Sequence, residues 1–213
     1  MPEPLRVGVL ASGRGSNFRA LVMAAESGRI PAAVVVLVAD RAGAPVLDIA
    51  RAHRVEIVVV DPRQHPSREA HEKAVIGVLD ERRVGLVCLA GYMRLLTAGF
   101  VAHFAGRLLN IHPSLLPAFP GLHPHRQALD HGVRVSGATV HFVDEGVDSG
   151  PVVLQAAVPV RPDDTEESLA ARILVEEHRI YPMAIARVLG GDWTLEGRRF
   201  TSRHGAAATE PRE

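Results

Sequence analysis

Leu5-Arg6-Val7-Gly8-Val9-Leu10-Ala11, followed at once by Ser12-Gly13-Arg14-Gly15-Ser16-Asn17, decides how the rest of the chain is read. A short apolar run stops at a glycine-rich turn. Leu21, Val22, Ala24 and Ala25 then recur on helical spacing, and Gly28 ends that pattern. This is a strand, a tight turn and a helix. The same alternation continues downstream. Ala33 to Ala39 is wholly apolar, as a strand buried on both faces is. Pro45 opens a helix through Ala52, and Glu56 to Val60 reads as a third strand. Ser67 caps a helix whose apolar positions are Ala70, Ala74, Val75, Val78 and Leu79, with the polar stretch His71-Glu72-Lys73 read as a solvated face. Val84 to Leu89 and Arg107 to Ile111 supply two more strands. Strands alternating with helices predict a doubly wound, mostly parallel α/β sheet of Rossmann-like type.

The second half changes style. Asn110 to Arg126 holds four prolines and three histidines without a period, which predicts a long ordered loop. Val135 to Val143 and Val152 to Val160 are β-rich and predict an antiparallel hairpin element around the wide turn Asp144 to Gly150. Asp164 with Glu167 reads as a capping pair opening a long final helix that carries Leu169, Ile173 and Ile180, with Pro182 expected to kink or interrupt it. From Ser202 the pattern is lost, so residues 1–201 are expected to form one domain and 202–213 a disordered tail.

Composition bounds the function. Of 213 residues, 47% are hydrophobic and 23% charged, the profile of an ordinary globular chain. The most apolar run, Ile30 to Ala39, is shorter than the ~20 residues a membrane span needs. The start lacks the charged and apolar regions of a secretory signal, and the lone Cys88 cannot form an internal disulfide. The expected setting is therefore cytoplasmic, without a membrane. Lys+Arg and Asp+Glu both number 24, so no basic footprint for nucleic acid is present in the totals. Among the cations only Lys73 is a lysine, so a phosphate loop of the GxxxxGK type is excluded.

Two places carry chemistry. The turn Ser12 to Asn17 opens a helix, where unpaired N–H groups and the helix dipole attract phosphate. Phe18 occupies the third glycine position of a dinucleotide fingerprint, although Asp40 stands where a ribose-binding acid would; a dinucleotide is disfavoured but left open. Asn110-Ile111-His112 lies past the carboxyl end of a strand, and alternation puts Asn110 and His112 on one side. An amide donor beside an imidazole suits a developing oxyanion and a moving proton. Asp148 is a turn aspartate or, if it meets His112, the carboxylate that orients the ring and raises its pKa above ~6.5. His112, His123, His125, His131 and His141 lack the grammar of a zinc site, so no metal is expected, and Cys88 reads as an inert packing residue.

Together with Leu89-Ala90-Gly91-Tyr92-Met93-Arg94-Leu95-Leu96, Asn110-Ile111-His112-Pro113-Ser114-Leu115-Leu116-Pro117, Pro120-Gly121-Leu122-His123 and Asp148-Ser149-Gly150-Pro151, the glycine turn resembles the phosphoribosylglycinamide formyltransferases, over roughly residues 5 to 190. The resemblance implies an enzyme of purine biosynthesis that takes 10-formyltetrahydrofolate as co-substrate. It implies that Asn110, His112 and Asp148 are catalytic, that protonated His112 and Asn110 hold the oxyanion, and that Asp148 keeps His112 charged. It further implies that Gly15, Ser16, Asn17 and Glu177 hold glycinamide ribonucleotide. Arg68, Met93, Arg94, Leu95, Leu96, Asn110, Asp144, Glu145, Gly146 and Val147 are implied to contact folate. The partners expected are these two small molecules, with the chain a monomer or homodimer. Pro124, between His123 and His125, departs from the polar residue the family pattern leads one to expect. A formyltetrahydrofolate hydrolase would use the same trio but is expected to carry an amino-terminal regulatory domain. A methionyl-tRNA formyltransferase would carry a carboxyl-terminal RNA-binding domain. A non-catalytic nucleotide-binding module would leave the trio without a purpose.

Overall fold

A computed structural model describes residues 4–202. Its centre is a nine-stranded sheet in the order β3-β2-β1-β4-β5-β6-β7-β9-β8. The strands are β1 (Leu5–Ala11), β2 (Ala32–Ala39), β3 (Glu56–Val59), β4 (Leu86–Leu89), β5 (Leu108–His112), β6 (Val135–Phe142), β7 (Val152–Pro159), β8 (Trp193–Glu196) and β9 (Arg199–Ser202). The helices are α1 (Ser16–Glu26), α2 (Val46–Ala52), α3 (Arg68–Glu81), α4 (Ala98–His103), α5 (Pro124–Asp130) and α6 (Glu166–Leu189).

The first five strands pair parallel, as their apolar, doubly buried sequences require. Strand alternation sorts their side chains into two cores. Val7, Val9, Leu37, Cys88 and Leu109 pack with α1, α2 and α6 on one face. Leu10, Val36, Val87 and Leu108 pack with α3 and α4 on the other. β6 then enters antiparallel to β5, setting His141 opposite Asn110 and Thr139 opposite His112. β7 closes the expected antiparallel pair with β6.

Four readings of the sequence are corrected. The cap of α6 is a Thr165/Ser168 box, each side chain accepting from the other's backbone N–H. Asp164 instead takes both guanidinium nitrogens of Arg172, at 2.8 and 2.6 Å, a stronger use for a carboxylate. α6 runs through Pro182 without a break, because Ile180, Tyr181, Ala184 and Ile185 around it are buried against the sheet. The stretch His71-Glu72-Lys73, polar enough to read as a solvated face of α3, keeps only Lys73 exposed and buries His71 and Glu72 beside Val75 and Leu79. The short α4 and the β8–β9 hairpin were not anticipated. Trp193 and Phe200 of that hairpin stack with Phe142, and Ser202, assigned from sequence to the tail, ends β9. The remainder of the expected tail, 203–213, lies outside the described residues.

Among the described residues no helix is long and apolar enough to cross a membrane.

Candidate active site

The strand order reverses between β1 and β4, with β2 and β3 to one side and β5 to the other. In open parallel sheets the crevice beyond the carboxyl ends of such strands is where ligands sit. Three chain segments leave the sheet there: the glycine turn after β1, residues 90–97 after β4, and the proline-rich loop after β5.

The glycine turn is built to stay open. Gly15 has φ 79°, and a Cβ there would lie 2.5 Å from Val46 Cγ2 and 2.9 Å from Val46 Cα, so only glycine fits. Val46 N–H donates to the Gly13 carbonyl at 3.2 Å, and the Arg41 guanidinium donates to the Ser12 carbonyl at 2.6 and 3.0 Å. No side chain caps α1 and its first turn holds no acidic residue, so its dipole and N–H groups face the crevice uncompensated. From the far end of the chain, Glu177 on α6 reaches the same corner. Its Oε2 accepts from Asn17 Nδ2 at 2.5 Å. Burial raises the Glu177 pKa, against the opposing hydrogen bond from Asn17. Asn17 Oδ1 is buried without an internal partner.

Asn110, His112 and Asp148 do converge. Alternation along β5 puts the first two on one face, and the left-handed turn at Asp148, φ 50°, swings its carboxylate over them. Asp148 Oδ2 lies 3.3 Å from His112 Nδ1 and accepts from Gly121 N–H at 2.8 Å; Oδ1 accepts from Asn110 Nδ2 at 3.4 Å. The loop is braced for this. Asp144 Oδ1 accepts from Gly146 N–H and Ser149 Oγ, and a Cβ on Gly150 would strike the Phe142 carbonyl at 1.9 Å.

The other ring nitrogen of His112 meets the Phe119 carbonyl at 2.9 Å. Both neighbours of the ring are acceptors, so both contacts are hydrogen bonds only when the ring is protonated. Burial nevertheless holds the His112 pKa below the ordinary imidazole value; Asp148 and the Phe119 carbonyl oppose this without overcoming it, and His141 adds to it. This corrects the expectation that Asp148 lifts the value above normal. The net effect is a neutral ring in the free site with two acceptors waiting for a second proton. Burial pushes the Asp148 carboxyl upward, but His141, Gly121 N–H and His112 together hold it below the ordinary carboxylate value, so it stays ionised.

His141, which by sequence reads only as a surface or loop histidine, lies against this group. Its Nδ1 lies 2.8 Å from the Phe142 carbonyl and its Nε2 lies 3.2 Å from Asn110 Nδ2. It also lies 3.6 Å from Asp148 Oδ1. Its one sequence signal is its strand position across from Asn110, legible only once the β5–β6 register is known. His123, an exposed helix cap, and His131, bonded to the Gln127 carbonyl, stand apart from this group. Pro124 is the first residue of α5, where its missing N–H costs nothing.

The residues for which the resemblance implies a folate contact are all exposed or half-buried. Met93, Leu95 and Val147 are exposed apolar side chains, as is neighbouring Leu122. Leu96 packs on the second core, Arg94 is half-buried, and Asp144 to Gly146 form the braced turn beside Asp148, with Glu145 and Gly146 exposed. Arg68 opens α3 and pairs with buried Glu72 at 3.6 Å. Cys88 is fully buried and its thiol pKa is pushed up to about 12 by burial, so it is inert as a nucleophile. Phe18 fills the core where a dinucleotide fold keeps a glycine. Among the described residues no group of three or more His, Cys, Asp or Glu is placed to hold a metal ion.

A switch-point crevice with an uncapped helix start and an Asn–His–Asp group suits a group-transfer enzyme. Residues 5–185 match the family model described as formyl transferase, and the chain belongs to that family. It is 43% identical to phosphoribosylglycinamide formyltransferase of Escherichia coli (strain K12), over 91% of this chain and 89% of that one. Against the crystal structure of glycinamide ribonucleotide transformylase 1 from Symbiobacterium toebii it has 52% identity, a TM-score of 0.92, and 94% coverage of each chain. It is also 48% identical, over 87% of its length, to the trifunctional purine biosynthetic protein adenosine-3 of Drosophila melanogaster, of which it spans only 14%.

Proposed function

We propose that the protein transfers the formyl group of 10-formyltetrahydrofolate to the amine of 5'-phosphoribosylglycinamide. The observation that carries this reading is the His112–Asp148 pair at 3.3 Å, with Asn110 beside it, in the same crevice as the uncapped α1 N-terminus. The glycine turn, through Gly15, Ser16 and Asn17, takes the phosphate, and Glu177 with the free Oδ1 of Asn17 supplies polar partners for the ribose end. The folate lies along Met93 to Leu96 and Asp144 to Val147, with Arg68 at the outer end.

The substrate amine attacks the formyl carbon, forming a C–N bond while the carbonyl electron pair moves to oxygen. Asn110 donates a hydrogen bond to that oxyanion. The proton that the amine gives up is taken by the His112–Asp148 pair, and the imidazolium it creates is held between Asp148 and the Phe119 carbonyl. Its charge then stabilises the adjacent oxyanion. Collapse re-forms the C=O bond and breaks the bond to N10, which receives the proton from the pair. A ring whose resting pKa is depressed suits this work, because it begins neutral and is charged only when the oxyanion appears.

The test follows tetrahydrofolate release from 10-formyltetrahydrofolate with and without the nucleotide. Release that depends on the nucleotide supports the transferase. Release without it means hydrolysis to formate. NAD binding without turnover would favour a nucleotide-binding module.

A further inference from the structure

Glu72 takes no part in the chemistry above, yet it is only 4% exposed, in the second turn of α3. A carboxylate is removed from water at reasonable cost only where donors replace the solvent. Here one residue supplies most of them. Thr97 N–H donates to Oε1 at 2.9 Å and to Oε2 at 3.2 Å, and the Thr97 hydroxyl donates to Oε2 as well. Arg68 Nε stands 3.6 Å from Oε1 and balances the charge. The Thr97 oxygen also caps α4, accepting from Phe100 N–H at 3.3 Å. One buried carboxylate therefore joins α3, the start of α4 and the end of the segment after β4.

That segment is tied at two points. Near its beginning, Ser12 N–H donates to the Gly91 carbonyl and Ser12 Oγ accepts from Met93 N–H, both at 3.1 Å. At its end stands Thr97 on Glu72. Between the ties, Met93 and Leu95 are exposed apolar side chains. The Ser12 tie belongs to the glycine turn and so to the phosphate side. The Glu72 tie belongs to the other side, and the same carboxylate holds Arg68.

We propose that Glu72 is a positioning residue for the folate half of the site, fixing residues 93–96 through Thr97 and orienting Arg68. The proposal rests on the function proposed above. It separates the two substrates: loss of Glu72 loosens the folate wall and leaves the glycine turn, Asn17 and Glu177 as they are.

The experiment measures KM for each substrate, kcat, and the Kd of tetrahydrofolate in wild type, Glu72→Ala, Glu72→Asp and Thr97→Ala. Glu72→Ala and Thr97→Ala are expected to raise the folate KM and the tetrahydrofolate Kd about tenfold, the size of losing a hydrogen bond to a charged group. The nucleotide KM and kcat at saturation should stay within about twofold, and Glu72→Asp should recover most of the loss. If Glu72→Ala does not fold, Thr97→Ala carries the test, since it removes the hydroxyl bond to Glu72 and the α4 cap, keeps the backbone N–H bonds, and leaves Arg68 to neutralise the carboxylate. An unchanged folate KM, both KM values rising together, or a fall in kcat alone would overturn the proposal. If wild type transfers no formyl group, the function itself fails, and the tetrahydrofolate Kd series still decides whether Glu72 shapes a folate site.

Discussion

Asp148→Asn is the sharpest probe of the proton-handling pair. The substitution removes one charge and keeps the shape: an asparagine oxygen can still accept from Gly121 N–H, which lies 2.8 Å from Oδ2, so the loop is retained. What is lost is the attraction between Asp148 and the His112 imidazolium. At the observed 3.3 Å and an effective dielectric constant of about 20, that attraction is about 5 kcal/mol. It acts only when the ring is charged, and on the proposed path the ring is charged only as the tetrahedral species forms. About 5 kcal/mol then appears in the barrier, nearly four decades in rate, so kcat should fall about 5000-fold while both KM values stay within about threefold. The pH profile supplies an independent readout. The wild-type kcat/KM should decline as the pH drops through the depressed His112 value, since a ring already protonated cannot take the amine proton. Without Asp148 the ring loses its main charge-favouring neighbour, so this acid limb should move to still lower pH. Initial rates of tetrahydrofolate release from pH 5 to 8 measure both. A loss under tenfold, or an acid limb that stays put or moves upward, would refute the reasoning.

Asn110→Ala should lower kcat about 100- to 1000-fold with little change in stability, read from the same rates and a melting curve. Gly15→Ala forces a side chain into a left-handed backbone and against Val46; at about 1–2 kcal/mol for the backbone and 1–3 for overpacking, it should cost about 2–5 kcal/mol in urea unfolding and raise the nucleotide KM. Burial holds His71, His112, His125 and His178 below the ordinary imidazole pKa. The unfolded chain therefore binds protons from ~6.5 downward before the folded one does, so stability is complete above that pH and falls as pH drops toward 5. Glu177, with its raised pKa, works in the opposite direction, one group against four. A melting temperature that is flat or rises from pH 7 to 5.5 would contradict this balance.

Local patterns were legible where one interaction dominates. The doubly buried β1 and β2, the Ser67 cap of α3 and the glycine turn before α1 follow from the nearest few residues, and so they stand where the sequence puts them. The α6 cap was misplaced by one residue because Asp164, Thr165, Glu167 and Ser168 offer several capping pairs, and only the reach of Arg172 from eight residues on settles which oxygen is free. The β8–β9 hairpin was illegible because its four-residue strands owe their stability to Phe142, fifty residues earlier in the chain.

The sequence by itself determined the class of fold, the glycine turn at Ser12 to Asn17 that opens α1, and Asn110 and His112 on one strand face, since hydrophobic period, turn chemistry and strand alternation act over a handful of residues. Tertiary structure alone decided that Asp148 meets His112, that His141 and the Phe119 carbonyl join them, and that Glu177 on α6 reaches Asn17 on the neighbouring α1. It also decided the sign of the His112 shift. A sequence shows which carboxylate is available, but the pKa depends on how much water the fold removes, and here burial outweighs the neighbouring charge.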